Sequence, residues 1–186
     1  VSAELNMQEV RGEEITPELL SLAFHMYKRT VDERLLGRQY LNEKFFMMLA
    51  ERYRHRLCLI LTRRRTDGQL IAATLNVQKG DVFYGRYWGS SHKRQFLHFE
   101  ACYYQAIQFA IERGLDRVEA GAQGPHKLAR GYLPVHTYSA HWIRETQFRE
   151  AIERYLVHER KQVDEDISYL AEHSPFRHSE IEEDGF

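Results

Sequence analysis

Apolar positions near the start of the chain recur at helical spacing, then switch to the spacing of strands. Thr16-Pro17-Glu18 reads as a helix start, with a capping hydroxyl and a proline at the first helical position. That helix is predicted to run to about Thr30. The charged segment 32–39 holds Gly37 and reads as a loop. Tyr40–Tyr53 reads as a second helix, with Asn42 as its cap and Phe45, Phe46, Leu49 and Tyr53 at helical spacing. Residues 1–16 are polar, show no clear period and predict no element.

Three strand signals follow. Arg56–Thr62 carries LCLIL, Leu70–Gln78 carries IAATLNV and Val82–Trp88 carries VFYGRYW. Turn sequences around Gly68 and Gly80 separate them, which predicts an antiparallel meander. Lys93–Arg113 is the clearest helix, stopped by Gly114 and striped by Phe96, Phe99, Tyr103, Ala106, Ile107 and Ala110. Asp116–Ala120 and Val135–Ile143 are strand candidates, joined by a glycine-rich loop. A long amphipathic helix over about Gln147–Ala171 is predicted to close the fold, with Phe148, Ile152, Tyr155, Val163, Ile167 and Leu170 facing inward. The predicted order is α-α-β-β-β-α-β-β-α. This is an α/β (α+β) fold with a mixed, mostly antiparallel sheet and helices on both faces.

With 186 residues, one domain over 1–172 is expected, followed by an acidic, fraying tail over 173–186. The formal net charge of −1 removes a global basic field, so any polyanion must meet a local patch. Cys58 and Cys102 sit in separate apolar runs and read as buried thiols of a reducing compartment. No apolar run approaches the ~20 residues that cross a bilayer. A cytoplasmic location is therefore the expectation. The chain begins at Val1 without a methionine, which suggests a processed product or a piece of a longer protein.

The segment Glu119–Pro134, EAGAQGPHKLARGYLP, draws most attention. Gly121, Gly124 and Gly131 bracket His126, Lys127 and Arg130, a basic patch able to meet phosphate or carboxylate. The competing reading is a plain connecting loop with solvated charges. Glu100 falls within the apolar stripe of its helix, either as a general base or as half of a structural ion pair. His98 falls on the opposite, polar face and reads as a surface or loop-packing residue. Arg86 shares a strand face with Tyr84 and Trp88, as a stacked cleft cation or as a solvated strand end, and Gly85 hints at a bulge. His136 and His141 have opposite strand parity, so one of them is offered as a core partner for Glu100. The ten histidines show no HxxxH or HExxH spacing, there is no CxxC, and no metal site is expected. GxxxxGK[ST], GxGxxG and GxSxG are all missing.

The runs GRYWG (85–89), LHFEACYYQAI (97–107), ERGL (112–115), EAGAQGPHKLARGYLP (119–134) and SAHWI (139–143) resemble a bacterial family of FemAB-like predicted N-acyltransferases. That family belongs to the wider acetyltransferase-like (GNAT) fold group. The resemblance extends from about residue 24 to about residue 177, including YL…FF at 40–46 and HSPFR at 173–177. Full-length members are longer, which would make this chain a C-terminal half whose N-terminal domain is a further partner.

The resemblance implies a V-shaped opening beside the third meander strand, near Tyr87–Ser91. GNAT enzymes hold a donor pyrophosphate there with a Q/R-x-x-G-x-G/A loop. This chain has GSSHKRQ (89–95) instead, with one glycine and two cations. The implied donor-binding residues are Trp88, Gly89, Ser90, Ser91, Lys93 and Arg94. The donor is an acyl-CoA co-substrate, with no tightly bound cofactor, or an aminoacyl-tRNA as in FemAB relatives. The implied reaction is attack of a small-molecule or peptide amine on an activated acyl group. Glu100 or Glu119 would be the base, backbone N–H groups near Trp88–Ser90 the oxyanion donors, and Arg86, Tyr87, Gln123, His126, Lys127 and Arg130 the acceptor wall. A catalytically silent binding half and a tRNA-contacting domain are the competing implications, and the net charge weighs against a large RNA footprint.

Overall fold

Seven residues at the start of the chain, Leu5–Arg11, form a strand that the polarity of the segment hides. Leu5, Met7, Glu9 and Arg11 alternate with Asn6, Gln8 and Val10 along it. Glu9 and Arg11 reach partners from elsewhere in the fold: Glu9 pairs with Arg113 at 2.5 Å, and Arg11 donates to Gln78 at 2.9 Å. The computed structural model describes residues 4–33, 38–121 and 125–176. The chain divides into two compact units, Val1–Ala122 and Gln123–Phe186.

The first unit is a five-stranded sheet in the order β1-β2-β3-β4-β5. Its strands are β1 (Leu5–Arg11), β2 (Leu57–Arg64), β3 (Leu70–Lys79), β4 (Val82–Ser90) and β5 (Arg117–Glu119). All neighbours are antiparallel except β4 and β5, which run parallel. The meander therefore stands as expected, and β1 is added at its far edge.

Helix α1 (Pro17–Asp32) starts where Thr16 Oγ1 accepts the Leu19 N–H, and α2 (Glu43–Arg52) where Asn42 Oδ1 accepts the Phe45 N–H. Both pack on one sheet face. Phe24, Tyr27 and Phe46 meet Leu57, Leu59, Leu61, Ala73 and Leu75 there. On the other face, α3 (Leu97–Phe99) runs through a π turn (Glu100–Tyr104) into α4 (Gln105–Glu112). Phe83 stacks on Phe109 with ring centroids 4.2 Å apart, and Leu97 closes a smaller cluster with Leu5, Ile71 and Ala72. The helix begins later than its apolar stripe predicts, because Phe96 sits at φ 65°, a left-handed conformation that no helix continues through.

The second unit departs from expectation twice. Residues 132–144 form no strand. Val135, Tyr138 and Trp142 are spaced three and four apart rather than two, so no face collects them, and Tyr138 and Trp142 are 90% and 81% exposed. Their neighbours His136 and His141, offered as partners for Glu100, have partners within this unit: His136 Nε2 meets Asp164 at 2.8 Å and His141 Nε2 meets Ser139 at 2.9 Å. The long helix α5 (Thr146–Glu172) is present, capped by Glu145 accepting the Phe148 N–H. None of its residues is buried, so the stripe predicted to face inward does not cover a core.

Candidate functional site

Two irregularities shape the site, one in the sheet and one in the helix beside it. Along β3 and β4 the register passes from Leu75↔Tyr87 to Asn76↔Gly85, so Arg86 has no partner of its own and forms a bulge. The bulge resets the alternation. Phe83 lies under α4, Tyr87 turns to the opposite face against Tyr27, and Trp88 is back on the α3 side beside His98. Arg86 is thrown outward with its guanidinium 5.3 Å from the Tyr84 ring centroid. Of the two aromatics that share its strand face in the sequence, Tyr84 lies near the Arg86 guanidinium, and the Arg86 side chain is exposed.

Pairing between β4 and β5 ends at Tyr84↔Glu119. Beyond that point the outer edge of β4 has no strand beside it among the described residues. Ser91 donates its N–H to Ile71 of β3, while Ser90 donates its own to Thr30 Oγ1 of α1 at 3.0 Å. Because N–H directions alternate along a strand, the Trp88 N–H points the same way as that of Ser90, away from β3 and into the opening. Of the backbone donors expected near Trp88–Ser90, the Ser90 amide is already engaged and that of Trp88 faces the gap.

In the helix, the buried positions Leu97, Ala101, Ala106 and Ala110 are separated by four, five and four residues. The π turn supplies the spacing of five. It rotates the N-terminal turn of the helix relative to the rest, which is why a regular wheel misplaces both His98 and Glu100. His98 is half-buried, not on an outer surface. Its ring packs edge-on against Trp88 and Tyr103, at centroid distances of 5.4 and 5.5 Å.

Two cavities open along β4. The larger, about 390 Å³, is lined by Thr30 of α1 and Glu33 just after it, by Trp88 and Ser90, and by the His92–Gln95 connection. The smaller, about 100 Å³, is floored by Thr74 and Asn76 of β3 and walled by Gly85–Trp88, Cys102, Tyr103 and Ala120. Asn76 is 2% exposed, and its carboxamide nitrogen donates to the Cys58 carbonyl at 3.2 Å and to Thr74 Oγ1 at 2.8 Å. Its side-chain oxygen lies close to Gly85, where even an added methyl group would be 3.8 Å away. Sequence reasoning passes over Asn76. The available signal is an amide in the middle of an otherwise apolar strand, which needs a buried partner.

The larger cavity gathers four of the expected donor-binding residues: Trp88, Ser90, Lys93 and Arg94. Both cations have carboxylate neighbours. Lys93 lies 3.9 Å from Glu33, and Arg94 bonds Glu4, holding that carboxyl below its ordinary value. The hydroxyls of Ser90 and Ser91 both donate to the Ile71 carbonyl of β3 and also bond His92. Gly89 serves packing: a Cβ there would stand 2.1 Å from the Met26 carbonyl carbon of α1.

Of the expected acceptor wall, Arg86 and Tyr87 line the smaller cavity. His126, Lys127 and Arg130 belong to the second unit, in the short helical turn Pro125–Arg130, where Arg130 donates to the His126 carbonyl at 2.6 Å and burial lowers the Lys127 ammonium below its ordinary value. Gln123 lies outside the described residues. Glu100 and Glu119 line neither cavity; Glu100 accepts from Gln105 at 3.1 Å, and Glu119 pairs with Arg117 at 3.2 Å.

Burial pushes the Cys58 thiol up to about 12 and raises Cys102 further still. A thiol so raised is almost entirely protonated near neutrality and is a poor nucleophile. Folded protein incubated with iodoacetamide at pH 8 is expected to stay unlabelled at both cysteines and to label fully in urea. Mass spectrometry counts the adducts, and stoichiometric native labelling would contradict this account. Among the described residues, no group of three His, Cys, Asp or Glu is placed to hold a metal, and no helix is long and apolar enough to cross a membrane.

A comparison with curated proteins returns no match. Among solved structures, the chain is similar to an aminoglycoside acetyltransferase from an uncultured soil metagenomic sample, solved with trehalose: 10% identity and a TM-score of 0.50, over 77% of this chain and 97% of that one. It is likewise similar to a probable acetyltransferase at 14% identity and a TM-score of 0.50, over 75% and 97%. These likenesses give the acetyltransferase (GNAT) fold. A family model described as peptidoglycan biosynthesis/recognition matches residues 1–178, and the chain belongs to that FemAB-like family.

Proposed function

We propose that this chain is an N-acyltransferase, moving an acyl or aminoacyl group from an activated donor to an amine. One observation carries the reading: the parting of β4 from β5 after Tyr84, which leaves the Trp88 N–H facing an opening with a cavity on either side. Acyl transfer to an amine develops negative charge on the carbonyl oxygen, and a fixed backbone N–H at the edge of a rigid sheet suits that charge. The larger cavity, with Lys93 and Arg94, suits the phosphates of the donor, an acyl-CoA or an aminoacyl-tRNA. The smaller one, with the Arg86 guanidinium at its wall, suits an anionic group of a small-molecule or peptide acceptor. The family's link to peptidoglycan supports a peptide-like acceptor. Glu100 and Glu119 would serve as bases only through water, since neither lines a cavity.

The carboxylate neighbours of Lys93 and Arg94 favour a second reading, in which the chain holds substrate for a further segment of a longer protein. Thermal melting discriminates. Acetyl-CoA, longer acyl-CoAs and aminoacyl-tRNA are each added at 100 times their dissociation constant. A bound donor then stabilises by about 2.7 kcal/mol, which at this chain length raises the melting temperature by roughly 5–10 °C. A donor that shifts melting and is turned over supports transfer. A shift without turnover by any amine supports the binding half, and no shift with any donor rejects both.

A further inference from the structure

Two residues, Trp88 and His98, line both cavities. From this we infer that His98 is the general base of the transfer, a step that rests on the acyltransferase reading. A reaction that joins a donor to an acceptor takes place where their two sites meet. Trp88 brings a backbone N–H to that junction and an indole ring, neither of which takes up a proton. His98 brings an imidazole, the side chain whose ordinary titration range spans neutrality. The edge-on packing of its ring on Trp88 and Tyr103 fixes its position without enclosing it, and it stays half-buried at the mouth of both spaces. Its setting in the helix depends on the π turn that begins two residues later, which turns the first helical residues toward β4.

The step is as follows. The amine nitrogen's lone pair forms the new bond to the acyl carbon, and the carbonyl π pair moves onto oxygen, facing the Trp88 N–H. A ring nitrogen of His98 takes the proton from the attacking nitrogen. The oxygen's pair then re-forms the carbonyl as the bond from carbon to the donor's sulfur or ester oxygen breaks; that bond's electron pair leaves with the sulfur or oxygen, which recovers the proton from the imidazolium. The charged and titratable groups that line the two cavities with His98 are Glu33 at the end of α1, Arg86 of β4, His92, Lys93 and Arg94 of the connection, and Cys102 and Tyr103 of its own helix.

The test uses the full chain with acetyl-CoA, a longer acyl-CoA or aminoacyl-tRNA as donor, and methoxyamine, unprotonated throughout the range scanned, as acceptor alongside peptide amines. Release of free thiol or of ester-linked label gives the rate. His98→Gln should lower kcat by about 10²–10⁴-fold, with KM for the donor changed little. The wild-type rate should rise with pH along a limb that the variant lacks, because only the neutral ring accepts a proton. Added imidazole should restore rate to His98→Ala. If His98→Gln fails to fold, the wild-type pH profile and the imidazole rescue of His98→Ala decide. Wild-type transfer with His98→Gln within threefold of it, or a flat wild-type profile, overturns His98 as base and leaves the acyltransferase reading standing. No transfer by the wild type from any of these donors overturns that reading, and the role of His98 with it.

Discussion

Phe46→Ala is expected to destabilise the protein by about 3–5 kcal/mol, the range for removing a fully buried aromatic ring. Phe46 is fully buried, with its ring centroid 5.3 Å from Phe24, 5.8 Å from Tyr27 and 6.3 Å from Tyr87. The ring joins α2 to α1 and both helices to β4, so its removal leaves a cavity bordered by three elements that cannot all collapse into it. At this chain length the loss corresponds to a melting temperature lower by on the order of 10 °C or more. The conservative Phe46→Leu keeps most of the volume and should cost markedly less. Urea denaturation of both variants measures the difference. A Phe46→Ala loss below about 1 kcal/mol, the average for any substitution, would show that this cluster does not organise the first unit.

Gly89→Ala is the second large effect, and it acts through the backbone. The added methyl carbon would lie 2.1 Å from the Met26 carbonyl carbon and 2.2 Å from the Tyr27 nitrogen. No side chain can swing aside to relieve this, so α1 itself must move off β4. Overpacking of this kind costs about 3 kcal/mol or more, and a melting temperature roughly 6–12 °C lower is expected. The displacement also separates Thr30 from the Ser90 N–H, which sit 3.0 Å apart at the wall of the larger cavity. The Ser90 amide should then exchange its hydrogen faster than in wild type, a result that hydrogen exchange reads residue by residue. A variant that melts with the wild type would mean that α1 and β4 are not in contact at Gly89.

The scaffold was readable in the chain wherever local chemistry decided the outcome. Thr16-Pro17 and Asn42 mark helix starts through hydrogen bonds to residues three positions away, and Gly68 and Gly80 mark the hairpin turns through their positive φ. The first strand was not readable, because Glu9 and Arg11 look solvent-bound until Arg113 and Gln78, far along the chain, come to meet them. The glycine-rich loop draws attention in the sequence because its charges are conspicuous. The cavities along β4 depend on an exposed backbone edge that no residue pattern announces. His98 was misplaced for a related reason. A wheel drawn at constant pitch cannot show a change of phase, and such a change falls within two residues of it.

Arg86 in β4 and one residue of the segment Glu100–Tyr104 are surplus to the architecture around them. Deleting Arg86 would leave Gly85 and Tyr87 opposite adjacent residues of β3, with Phe83, Tyr87 and Trp88 on their present faces. Deleting one residue from the π turn would bring Leu97, Ala101, Ala106 and Ala110 to an unbroken spacing of four. The frame can thus be written two residues shorter without disturbing its layers, and what would vanish is the gap between helix and strand. In the grammar of insertions and deletions, the site is an addition to a plainer fold: a chain lacking both residues is expected to keep the scaffold and lose the pocket.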